Sequence, residues 1–521
     1  MAVGSASGEE SIATNLKHFL LVLSVSLGVA TLPQIFNWFR QIPYTLLLVI
    51  VGLGLAFADV RIVYLSPQLI LLIFLPPLLF EAAWNLEWSD LKKNFLPVFL
   101  FAVIGVVISV AGIALGLNQL TGLSLTTALL VGASLAATDP VSVTSLFREL
   151  GVGTRLLTII EGESLFNDGM AVVAFSLLVG LPLGNSELSF QHIVVQFFKV
   201  VSIGIAVGGL IGFGISYLTQ RFDSPIVEQS FTLVSAYATY LLTEDLGGSA
   251  VIGVVTTGLI LGNFGSRIGM NPRTRIIVTE FWEFLAFFVN SMVFLLIGDQ
   301  VRFASLAENL TIIAVTFGVM TLVRAIAILF LSQLSHLLQR AKPGSKISWS
   351  EQTILWWGGV RGSVSIALAL SVPMSLAERE TIISTVFGAV LCTLLFQGLT
   401  IKPLVQKLKL SGDEPLYQQY TDLVAQALAL RDVLQHVQMN QRPGIKQNFY
   451  HYQEALVEGK IKQLQSEIEE LLKDYPDLQE MATRQLQEEL SAIAVKSYSR
   501  FLETGRMNRE LSGLVDWIDK K

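Results

Sequence analysis

The residues best suited to chemistry stand in "EGESLFNDGM", positions 161–170, where Glu161, Glu163 and Asp168 sit with Ser164 and Asn167 between long apolar runs. On a helix at about 100° per residue, Glu161, Ser164 and Asp168 share one face, and Glu163 and Asn167 share another. An ionised carboxylate at a bilayer centre costs about 3 kcal/mol on insertion scales, so it persists only beside a polar cavity or a partner. A further acid, Asp139, precedes Pro140 in "GASLAATDPVSVTSLF". Proline disfavours helix at the residue before it and lacks a backbone donor. The helix should therefore break there and free carbonyls, that of Thr138 among them, beside a carboxylate. Carboxylate, hydroxyl and carbonyl oxygens suit a small hard cation. A carboxylate can hold a proton or such a cation, but not both, and that competition is a sufficient basis for exchange. The five histidines (His18, His192, His336, His436 and His451) are scattered and Cys392 is the only cysteine. Neither a soft-metal cluster nor the nucleophile–base constellation of an enzyme is expected, and no cofactor is implied.

Other apolar runs carry matching oddities. "WWGGVRGSVSIALAL" places Gly358, Gly359 and Gly362 around Arg361, "FLPPLLFEAAW" carries Glu81, and "MTLVRAIAIL" carries Arg324. Either arginine could neutralise Glu163. Lys199 is long enough to reach outward to the interface and is given no role. Glu280 and Glu283 in "TEFWEFLAFF" read as structural, or as the entrance of a cavity.

The elements that must position these groups follow from composition. Of 521 residues 52% are hydrophobic and only 15% charged, with a mean hydropathy of +0.60. A soluble chain runs near 25% charged, so this is an all-α polytopic membrane protein. Apolar windows give about 13 transmembrane helices, starting near residues 15, 42, 66, 95, 122, 156, 192, 227, 248, 280, 309, 351 and 380. The first begins without a preceding basic stretch, which reads as a retained helix rather than a cleaved signal. Alternate loops divide the charge unevenly. One set, with the start of the tail, holds fifteen Lys and Arg, from Arg40 to Lys409; the other holds only Lys17, Arg61, Arg302 and Arg379. That bias puts the C-terminal tail in the cytoplasm and the N-terminus outside. The fifth and twelfth windows, those of Asp139 and Arg361, are interrupted and lie seven apart. This fits inverted six-helix repeats with a joining helix, each repeat holding its broken helix at the equivalent place. The expected domains are a short extracytoplasmic N-terminus at 1–14, a transmembrane domain at 15–405 and a cytoplasmic helical domain at 411–521. In the last, Ile461, Leu464, Ile468 and Leu471 or Leu472 form one apolar stripe, and Pro476 separates two helices. The net charge of -6 points to no nucleic-acid partner.

"FLPPLLFEAA", "AATDPVSV", "GESLFNDG", "FVNSMVFLLIG" and "GGVRGSVSIALAL", in that order over about residues 15–405, resemble the monovalent cation:proton antiporters, the sodium/proton exchangers of the NhaP and NHE type. The resemblance implies that Asp168 is the ion- and proton-binding carboxylate. Asp139, Ser164 and the Thr138 carbonyl complete a Na+ site, and Glu81 stands in the cytoplasmic funnel. It further implies that Glu163 pairs with Arg324 and orients Asn167, and that Arg361 neutralises the crossing of two broken helices. Asn167 resembles the electroneutral branch, because electrogenic relatives carry a second aspartate there. A homodimer working by elevator-like alternating access in the cell membrane, with a role in pH and sodium homeostasis, is implied as well. The same oxygens could take Li+, or prefer K+, since selectivity lies in cavity size. A proton-coupled organic-anion transporter would show surplus intramembrane cations, and a cation channel a filter segment. The sequence shows neither.

Overall fold

The computed structural model describes residues 17, 20–29, 31–32, 35, 42–58, 66–180, 190–221, 224–266, 270, 272–339, 346–410, 414–439, 447–474 and 483. Among them every regular element is a helix. The chain divides into two compact units, Met1–Ser411 and Gly412–Lys521.

The first unit opens with α1 (Leu20–Val29), α2 (Tyr44–Phe57, ending just before a short turn) and α3 (Leu69–Asn85). Next come α4 (Phe95–Thr121), α5 (Leu125–Ser134), α6 (Val141–Glu149) and α7 (Thr154–Leu178). They are followed by α8 (Phe190–Thr219), α9 (Pro225–Asp245), α10 (Ala250–Gly265) and α11 (Pro272–Asp299). The last are α12 (Leu310–Leu338), α13 (Trp349–Trp357), α14 (Ser363–Leu370) and α15 (Arg379–Lys407). Among the described residues five helices are long and apolar enough to cross a membrane: those over Phe95–Thr121, Ile193–Thr219, Arg273–Asp299, Leu310–Leu338 and Arg379–Lys407. The expected N-terminal segment 1–14 lies outside the described residues.

Two groups of helices build this unit. In one, α2 lies along α11, α3 packs on α10 and α11, and α8, α9 and α10 pack on one another. In the other, α4 packs on α5 and α12, α7 on α5, and α14 and α12 on α15. Aromatic contacts fix the first group. The Phe80 and Trp282 rings stack at 4.2 Å between α3 and α11. The indole N–H of Trp282 donates to Thr232 Oγ1 at 3.1 Å, and that of Trp84 to Thr279 Oγ1 at 3.0 Å. Such buried indoles specify a register because they need both packing and a partner. Within α3, Pro76 and Pro77 each lack a donor; they stand in the first turn of the α-helical stretch that begins at Leu75, where a missing donor is tolerated, directly after the π-wound turn Leu69–Phe74. In contrast, Gly162 and Gly169 do not interrupt the sixth apolar window, since α7 runs unbroken through both.

The second unit contains α16 (Glu414–Met439) and α17 (Gln447–Asp474), which pack on each other. On α17 the side chains of Val457, Ile461 and Leu464 are buried and those of Ile468, Leu471 and Leu472 half-buried. This is the stripe read from the sequence, extended one turn earlier. The break expected at Pro476 lies outside the described residues.

Candidate functional site

The first break separates α5 from α6. Leu135 to Pro140 leave the helix, and several of the backbone groups they free are met by residues from elsewhere in the fold. The carbonyls of Ala136 and Ala137 each accept from Arg361 Nη1 at 2.9 Å. The Thr138 carbonyl accepts a short hydrogen bond from the Ser164 hydroxyl. Asn167 closes the clamp: its amide donates to Thr138 Oγ1 at 2.7 Å, and its carbonyl accepts from the Thr138 backbone N–H at 3.2 Å. Asp139 caps α6, accepting from the Val141 N–H at 3.0 Å through Oδ1. A carboxylate there meets the positive end of the helix dipole.

The second break, Gly358–Gly362, separates α13 from α14 and crosses the first. The Asp139 N–H donates to the Val360 carbonyl at 2.8 Å, so backbone joins backbone at the crossing. Approach this close explains two glycines. A Cβ at Gly362 would collide with the Asp139 side chain, and one at Gly359 with the Arg324 guanidinium. Arg324, from α12, donates to the Leu355 and Trp356 carbonyls at 2.9 and 3.2 Å, which caps the end of α13. It also forms a two-point pair with Glu163, at 2.9 and 3.3 Å. Side-chain exposures of 11% and 4% make this a buried ion pair. Arg361 is the other buried cation. Its Nε and Nη2 donate to nothing among the described residues, so part of its charge acts through space, on Glu163 and Asp168 among others. At the far ends of the half-helices, Glu378 accepts from Ser124 and Thr127 at the start of α5. The neighbouring Arg379 donates to the Leu370 and Val372 carbonyls at the end of α14.

The two faces of α7 do different work. Glu161, Ser164 and Asp168 line a cavity of about 320 Å³ between the two helix groups. Its walls include Tyr44, Glu81, Asn85, Thr138, Asp139, Arg148, Glu283, Asn290, Gly362 and Ser363. Glu163 and Asn167 face the opposite way, onto Arg324, Ser109 and Ala136. Among the described residues Asp168 has neither a hydrogen-bond nor an ion-pair partner; it interacts through space with Asp139 and Arg361. Glu81 is held by Asn85 Nδ2 at 2.7 Å.

The fold has a counterpart of known structure. The sodium proton antiporter MjNhaP1 from Methanocaldococcus jannaschii superposes with a TM-score of 0.63 at 21% identity, covering 77% of this chain and 100% of its own. That likeness establishes the fold. The family model described as "Sodium/hydrogen exchanger, transmembrane" matches residues 22–407. The chain belongs to the sodium/hydrogen exchanger family. Relatives are similar over nearly the whole length. The Na(+)/H(+) antiporter ApNhaP of Aphanothece halophytica is 58% identical over 520 residues, 99% of each chain. The low-affinity Na(+)/H(+) antiporter NhaS1 of Synechocystis sp. is 51% identical over 506 residues, 97% of this chain and 96% of its own.

In this exchanger-family chain the fold brings Asp139, Thr138, Ser164, Asp168 and Glu81 to one cavity. It puts Glu163, Asn167 and Arg324 behind α7 and Arg361 at the crossing. One expectation needs correcting. Asn167 is oriented by Thr138 rather than by Glu163, because both ends of its amide are taken by that residue. Of the two candidate partners for Glu163, Arg324 makes the ion pair. Tyr44 and Arg148 were not singled out from the sequence, although both line the cavity. Tyr44 starts a helix with no polar pattern around it. Arg148 looked like an ordinary loop charge.

Proposed function

We propose that this chain exchanges Na+ for H+ across the membrane, with Asp168 as the carboxylate that alternates between proton and ion. The observation that carries this is an Asp168 that bonds to none of the described residues and lines the same cavity as Asp139, Thr138 and Ser164, the Thr138 carbonyl accepting from the Ser164 hydroxyl. Those oxygens make a hard donor set for Na+ as substrate. The names of the similar antiporters agree. Exchange is one for one. The Asn167 amide does not titrate and Glu163 is committed to Arg324; with Asp139 keeping a constant charge through the cycle, Asp168 carries the exchanged proton. The full architecture is about 13 membrane helices in inverted repeats, with the two broken helices in equivalent places. The protein is a homodimer in the cell membrane, with its C-terminal unit in the cytoplasm and the N-terminus outside, and it serves pH and sodium homeostasis. The cavity opens to the cytoplasm, because Arg148 and Glu161 at its mouth adjoin a loop of the positively charged set. Alternating access moves the group containing α5, α6, α7, α13 and α14 against the group containing α2, α3 and α11.

The deciding experiment records internal pH in proteoliposomes of the full chain after a pulse of Na+, Li+ or K+. Na+-driven proton flux supports the assignment. Flux with K+ alone would replace it by K+/H+ exchange, and a pH that moves with none of the three would remove it.

A further inference from the structure

One cation lines the 320 Å³ cavity among the described residues. Arg148, in the last turn of α6, faces Glu161, Glu81 and Glu283, and Asp139 and Asp168 line the same cavity. Its Nη2 lies 2.6 Å from Glu161 Oε1, the arginine side chain 60% exposed and the glutamate 24%. The pair joins α6 to α7. Glu81 and Glu283 belong to α3 and α11, across the cavity in the other helix group.

We propose that Arg148 is a tethered cation that competes with the transported ion for the carboxylates at the cavity mouth, and so sets the apparent Na+ affinity on that face. This rests on the exchange reading above. Carboxylates converging on a low-dielectric cleft focus field and concentrate cations. Without Arg148, three glutamates at the mouth would hold an arriving ion as well as attract it. The arginine lowers that local charge by one and cannot titrate away. Its pair with Glu161 is wet enough to be weak, so an incoming ion can displace it. The last turn of α6 keeps the guanidinium near the mouth, because a cation is favoured at a helix C-terminus. A simple staple between α6 and α7 would leave ion affinity untouched, and this is where the two roles separate.

The test measures KM and maximal rate for Na+ in everted membrane vesicles, where the cytoplasmic face is outward, using the full chain. Arg148→Gln should lower KM about two- to five-fold, the range for a partly exposed pair, with a smaller change in maximal rate. Arg148→Lys keeps the charge and should keep the native KM. Glu161→Gln should raise KM, and the Glu161→Gln/Arg148→Gln double variant should return towards the native value. A KM for Arg148→Gln that is unchanged or raised, or one for Arg148→Lys that falls equally, would overturn the proposal. If Arg148→Gln does not accumulate, an unmoved KM in Glu161→Gln overturns it instead. A native chain without Na+-dependent flux would reject the exchange reading itself, whereas native flux with an unmoved KM rejects only the role of Arg148.

Discussion

Glu163→Gln should damage stability more than it damages the ion site. Arg324 makes four bonds in the native chain: two to Glu163 and two to the carbonyls of Leu355 and Trp356. Breaking a buried ion pair by removing one partner costs about 3–5 kcal/mol, because the other charge stays behind. Here two carbonyls still solvate the guanidinium, so the lower end, about 3 kcal/mol, is the better figure. At about 2 °C per kcal/mol, the small end for large domains, the apparent Tm should fall by about 6 °C. Arg324→Gln should cost at least as much, since it strands Glu163 and also uncaps α13. The double variant Glu163→Gln/Arg324→Gln removes both charges and should be more stable than the sum of the single losses by about 2 kcal/mol, a coupling within the range for residues in contact. The assay is thermal unfolding of the purified protein in detergent, followed by scattering and by tryptophan fluorescence, with all four proteins in parallel. Additive losses would refute the reasoning, as would a Glu163→Gln protein that melts like the native chain.

Asp168→Asn should abolish Na+-driven proton flux in proteoliposomes while the protein still elutes as a single species, because an amide cannot alternate between a proton and an ion. Gly362→Ala should reduce the rate about a hundredfold, the scale for displacing a reacting group by about 1 Å, since the new methyl meets the Asp139 carboxylate; stopped-flow dye traces beside the native chain would check it. If H+ and Na+ compete for Asp168, lowering pH should raise the KM for Na+, by up to about tenfold per unit, with little change in the saturating rate. Measuring KM at several values of pH distinguishes this from a lost rate. Exchange should run at the same initial speed at zero and at inside-negative voltage, set with valinomycin and K+. A steady current on a solid-supported membrane would show a second acid taking part.

What the sequence disclosed depended on how local the cause was. The Asp139–Pro140 pair breaks its own helix, so the first interruption was visible without any neighbour. The opposite faces of α7 follow from a 3.6-residue period within one segment, and the cavity and Arg324 do lie on those two faces. From the residues by themselves the partner of Glu163 was not legible, because choosing between Arg324 and Arg361 requires knowing which helix crosses which; only the family resemblance pointed to Arg324, which makes the pair. For the same reason the residues did not show the support of Asn167, which the resemblance had given to Glu163: Thr138 is 29 positions away and reaches it only through the break. Tyr44 shows the limit most clearly. Nothing in an apolar helix start marks a residue as a cavity wall until α2 has been laid along α11.

The Thr138 carbonyl gives this site a property of its own. In the proposed site it is a ligand that belongs to no side chain, and its position is set by the Ser164 hydroxyl and the Asn167 amide. Substituting Thr138 leaves that oxygen in the chain, so a mutational scan cannot delete it. Such a scan would charge its displacement to Asn167, and to Ser164 on top of the oxygen that Ser164 itself supplies. Natural variants, equally, can retune this contact only by moving it, through the residues of α7 or through the Thr138 hydroxyl that Asn167 holds, while the two carboxylates remain as they are.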